Sequence, residues 1–201
     1  MILFLSRKIS SAFAERGIIL QEDLAVYTYS FEILIATLLN LLALCLIAVL
    51  TRTGSETIFY LLGFLPLRQL AGGYHAKNHF RCFLILIAVY GIFLVLIKFL
   101  LAAYYVYTIA ASLLISIFFI FLYAPVEDEN KPLSFREVKM LKQKSRIAIT
   151  VYVIITGLLL PVKIEWTFAL ALGILSVALS LAASVIRQNI IIHYNYLLKK
   201  Q

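Results

Sequence analysis

Apolar residues in this chain arrive in blocks about as long as a bilayer is thick, separated by short loops rich in lysine and arginine. No water-soluble fold buries that pattern, so the chain is read as an integral membrane protein forming a single domain, 1–201. Six apolar segments stand out, at about 30–50, 57–70, 82–101, 104–123, 147–162 and 167–186. A helical crossing needs roughly 20 residues, and 57–70 and 147–162 fall short of that. The basic residues still favour six crossings. With both termini on the inner side, the inner face holds fifteen of the eighteen lysines and arginines, and only Arg52 and Lys163 lie outside. Such loop asymmetry is the positive-inside rule. The alternative for the second segment is a re-entrant element, tolerable only where protein or a water-filled cavity satisfies its backbone.

Hydrophobic residues make up 63% of the sequence, beyond the roughly 45–50% of soluble domains. The net charge of +8 sits at segment ends and not along one solvated face, so a nucleic-acid partner is not expected. Residues 2–16 place Leu5, Ile9, Ala12 and Phe13 at helical spacing among basic and small residues. That predicts an amphipathic helix in the membrane interface, not a cleavable signal peptide. Cys45, in the middle of an apolar run, is expected to be a buried small hydrophobe.

The residues able to do chemistry gather between the second and third segments, from Arg68 to Cys82. His75 and Cys82 are seven apart. On one continuous helix they would stand about 10.5 Å apart along the axis, too far for direct proton transfer. The chain is therefore expected to bend, with His75 in a loop, Cys82 opening the third span, and Gly72-Gly73 supplying backbone freedom before the imidazole. A thiol attacks as thiolate, a form favoured by a nearby histidine, by the cations Lys77 and Arg81, and by a helix start. The plainer reading of Cys82 is packing. His75, His79 and Cys82 also suggest a metal set, but a structural zinc site closes with four ligands and the fourth is missing locally, so no metal or cofactor is expected. Gln69 is a candidate oxyanion donor. Glu32, ionisable near apolar surface, is a candidate orienting group, and Asn40 is read as glue between helices.

Together these residues resemble the accessory gene regulator protein B family, membrane cysteine endopeptidases of Gram-positive quorum sensing. The resemblance rests on Arg68 to Ala76 with its Ala71-Gly72-Gly73-Tyr74-His75-Ala76 core and on Cys82 seven residues after His75. Ala124-Pro125 followed by Asn130-Lys131-Pro132-Leu133 adds to it. It implies that His75 and Cys82 are catalytic. It also implies a partner propeptide with an amphipathic leader and an acidic tail, cyclisation of the signal segment to a thiolactone or lactone, and a homodimer in the plasma membrane with a cytoplasmic site. An acidic tail makes Arg68, Lys77, Arg81 and Lys131 candidate substrate-binding residues. The competing class is a non-enzymatic transporter or scaffold, for which ionisable residues deep in several spans would be expected; Lys98 is the clearest of these, and it lies near a span end, where it can snorkel.

Overall fold

A computed structural model describes residues 2–73, 79–126 and 133–198, and among these residues every regular element is helical. The helices are α1 (Ile2–Glu15), α2 (Leu24–Thr51), α3 (Gly54–Ala71), α4 (His79–Phe99), α5 (Tyr105–Tyr123), α6 (Phe135–Leu159) and α7 (Ile164–Leu198). The expected all-helical fold class holds. Four stretches, Gln21–Thr51, Phe80–Phe99, Ala102–Tyr123 and Ile164–Asn189, are long and apolar enough to cross a membrane. Helices α3 and α6 are not among them. Glu56 and Arg68 dilute α3, and the first half of α6 is the basic segment that runs to Arg146.

The start of α6 is set locally. Ser134 accepts from the Glu137 amide, and the Glu137 carboxylate accepts from the Ser134 amide at 2.8 Å, a reciprocal cap that satisfies two otherwise orphaned helix donors.

Helix α7 is the centre of the bundle. Every residue from Thr167 to Leu172 is buried, as are Ile174, Val177, Ala178 and Leu181. Its main neighbours are α3 and α5. Close approach to α3 depends on two glycines that share no sequence motif. A Cβ on Gly63 would collide with the Leu170 carbonyl, and one on Gly173 with the Tyr60 carbonyl. Tyr60 then reaches across to donate to the Ser176 Oγ at 3.0 Å. On the other side Tyr105 of α5 stacks on Phe168, with ring centroids 4.2 Å apart.

Pro66, inside α3, has no N–H to give the carbonyl of Leu62 one turn earlier. The Tyr152 hydroxyl of α6 supplies that donor at 2.6 Å. An unsatisfied carbonyl away from water would cost about 1–3 kcal/mol, so this bond both repairs α3 and ties α6 to it.

Helix α1 lies along α2. It buries Ser6 and Ser10 while Leu3, Phe4 and Leu5 stay exposed, and Phe13 meets Phe31 edge-on at 5.4 Å.

Candidate functional site

Helices α2, α3, α4 and α7 line a partly open cavity of about 710 Å³, walled also by Pro125, Val126, Leu133 and Leu141. Cys82, the fourth residue of α4, is half-buried and lines it. Arg68 and Gln69, at the end of α3, line it as well. The volume falls within the roughly 300–1,000 Å³ of small-ligand sites, which pair an apolar lining with a few polar groups.

The wall beside Cys82 is built from three distant stretches of sequence. Arg68 Nη1 donates to the Gly72 carbonyl and to the Ser180 Oγ of α7, each at 2.8 Å. The Val126 amide donates to the Ala71 carbonyl at 3.0 Å, and Gly72 pairs with Val126 in an isolated bridge. The Gly72-Gly73 pair and the Ala124-Pro125 turn, separate motifs in the sequence, thus form one junction. Freedom in the backbone is half of what the glycines provide. Gly72 (φ +73°) and Gly73 (φ +135°) do occupy positive φ, but they also leave room: a Cβ on Gly72 would strike the Val126 carbonyl, and one on Gly73 the Arg68 guanidinium and the Ser180 Oγ.

Of the other residues singled out from sequence, Glu32 is half-buried on α2 and Arg81 is exposed on α4, and neither lines the cavity. His75, Lys77 and Lys131 lie outside the described residues, as do Asn130 and Pro132. The metal alternative depends on His75, outside them as well; among the described residues no group of three His, Cys, Asp or Glu side chains is placed to hold a metal ion.

The reading of Cys45 is corrected, since its side chain is exposed on α2. An unbroken apolar run gives no sign of which side of a helix faces its neighbours. Asn40 also takes a different place: it lines the cavity with Thr37. Ser176 and Ser180 went unremarked in the sequence. Their four-residue spacing, which puts two hydroxyls on one face of α7, was the available signal.

Fold and site together define a class: a multi-helix membrane protein with a thiol at the edge of a largely apolar cavity. Within that class the chain belongs to the accessory gene regulator B family, whose model matches residues 6–181. That family is linked to the processing of autoinducer peptides in quorum sensing. Neither a curated protein nor a solved structure matches the chain.

Proposed function

We propose that the protein is a membrane cysteine endopeptidase that cuts an autoinducer propeptide and closes its signal segment into a ring. The observation that carries this reading is the position of Cys82, whose side chain shares the 710 Å³ cavity with Arg68 and Gln69. In the reaction, His75 takes the proton of the Cys82 thiol and the thiolate attacks a backbone carbonyl of the propeptide. The C–N bond breaks, the departing amine takes the proton from the His75 imidazolium, and the acidic tail leaves. The signal segment remains as a thioester on Cys82. An internal thiol or hydroxyl then gives its proton to His75 and attacks the thioester, so a thiolactone or lactone forms and the Cys82 thiol is restored. Gln69, which lines the same cavity, donates to the oxyanion, and a largely apolar lining favours ring closure over hydrolysis.

In this reading the chain crosses the plasma membrane of a Gram-positive cell six times and works as a homodimer. Helix α1 lies in the interface, and both termini and Cys82 face the cytoplasm, where the propeptide is made. The 18 residues of α3 extend about 27 Å, close to the roughly 30 Å of hydrocarbon. Its polar residues are tolerable because α7, α6 and α2, and not lipid alone, surround it.

Thiol and metal chemistry separate cleanly. Iodoacetamide is expected to inactivate the purified enzyme and strong chelators to leave it active, with His79→Ala milder than His75→Ala. Activity lost in chelator and regained on adding zinc would instead establish the metal reading.

Topology is checked by single cysteines in a background lacking Cys45 and Cys82. Cysteines near Thr53 and Lys163 should react with an impermeant reagent in intact cells, while those near Lys77, Lys139 and Lys199 should react only after permeabilisation. Outside labelling at Lys77 with Lys139 still protected would put the site in the wrong compartment and end the cleavage mechanism as written.

A further inference from the structure

The cavity changes character along its length. At the end nearest the α3–α4 connection it presents Cys82, Arg68 and Gln69. Away from that end, along both helices, the wall is Leu61, Leu65, Leu86 and Val89, with Leu44 of α2. Polar groups in this deeper part are few. Ser176 is already engaged, since it donates to the Leu172 carbonyl at 2.8 Å and accepts from Tyr60. Asn40, one turn beyond Thr37 on α2, lines the cavity and makes no hydrogen bond within the described residues. It sits well inside the apolar stretch Gln21–Thr51. An amide within an apolar membrane stretch is costly to leave without a hydrogen-bond partner.

We infer that the deep part of the cavity is a subsite for the acyl side of the substrate. It takes about three apolar residues immediately before the scissile bond, with the Asn40 amide hydrogen-bonded to their backbone. This rests on Cys82 as the nucleophile, because the acyl chain is then tethered at the cavity edge. Its length follows from geometry. Seven residues of α4 separate Cys82 from Val89, a rise of about 10.5 Å, and an extended chain covers roughly 3.3–3.6 Å per residue. Three residues therefore reach the deep end. Their side chains meet leucine and valine, so apolar ones are favoured by burial. Their peptide groups leave water and need partners, which the carboxamide of Asn40 supplies as both donor and acceptor.

The experiment uses the full chain in lipid nanodiscs and reads the rate of Cys82 alkylation by iodoacetamide, by mass spectrometry. The probes are acetyl-Leu-Ile-Phe aldehyde, its acetyl-Ser-Asn-Ser counterpart, the shorter acetyl-Ile-Phe aldehyde, and decanal, each able to cap the thiol reversibly. The apolar tripeptide should protect Cys82 at a concentration at least about tenfold below the polar one. Asn40→Leu should weaken protection by the apolar tripeptide about tenfold, or about 1.4 kcal/mol, and leave decanal, which has no peptide groups, unchanged. Val89→Trp, which shortens the cavity, should reduce the tripeptide to the level of the dipeptide. Equal protection by the polar and apolar tripeptides overturns the proposal. So does Asn40→Leu protein that binds the tripeptide as before, or decanal matching the tripeptide in every variant, which would mark a groove for acyl chains. The probe comparisons on unaltered protein do not depend on how any variant folds. The readout is alkylation, not cleavage, so failure of the subsite is told apart from failure of Cys82 as the nucleophile, which the cleavage assay of Cys82→Ala protein reads.

Discussion

Cys82→Ala protein is expected to release no propeptide tail, with cleavage reduced by at least about 10⁴-fold, the scale on which removal of a catalytic nucleophile acts. His75→Ala should be comparably inactive, because the two residues act as a unit and either loss stops thiolate formation. Cys82→Ser should be severely impaired, since a hydroxyl gives up its proton far less readily than a thiol. Cys45→Ala should cleave normally; its side chain is exposed on α2 and does not line the cavity. The measurement is mass-spectrometric detection of the released tail from cells co-expressing a propeptide. Cleavage near the unaltered rate by Cys82→Ala protein would remove the cysteine endopeptidase reading altogether.

Substitution at Gly72 should be nearly as damaging, for a reason unconnected with chemistry at sulfur. Its φ of +73° strains any residue with a Cβ, and that Cβ would meet backbone, the Val126 carbonyl, which cannot swing aside. Strain of this kind costs about 1–3 kcal/mol. Freeing the collision also breaks the Val126–Ala71 hydrogen bond, worth about 1 kcal/mol net. Together these reduce the population of an intact junction by roughly 30- to 1,000-fold, since 1.4 kcal/mol is tenfold. At Gly73 the obstacle is the end of the Arg68 side chain and the Ser180 Oγ, which can move. Gly73→Ala should therefore leave the helices packed while displacing Arg68. Gly17, with φ +68° and open space around it, isolates the strain alone, and Gly17→Ala should be the mildest of the three. Thermal unfolding in detergent beside cleavage assays tests the order. Gly72→Ala protein no different from Gly17→Ala in both assays would show that the Gly72–Val126 junction does not shape the site.

Much of the site lay open in the linear chain because its signals are local. Cys82 beside Arg81, the glycine pair before His75, and Arg68-Gln69 at a segment end are all read within fifteen residues. The roles of Asn40, Ser176 and Ser180 were not legible that way. Each is a polar residue in an apolar run, and only the rotation of its helix against three others decides whether it meets lipid, a neighbour or the cavity. Cys45 shows the same limit with the opposite outcome, expected inside and found exposed.

Hydropathy and charge placement by themselves determined a helical membrane chain and where its segments begin to be apolar, because transfer of side chains from water depends on composition and not on partners. They could not determine which helix is central. That is decided by Gly63 and Gly173, single residues on different helices that let α3 and α7 touch backbone to backbone, and by Tyr152 completing the turn that Pro66 opens. The joining of Gly72 to Val126, and with it the wall of the cavity beside Cys82, is likewise a property of the packed bundle. Close packing depends on which atoms are left out at a contact, and no single stretch of sequence states what will stand opposite it.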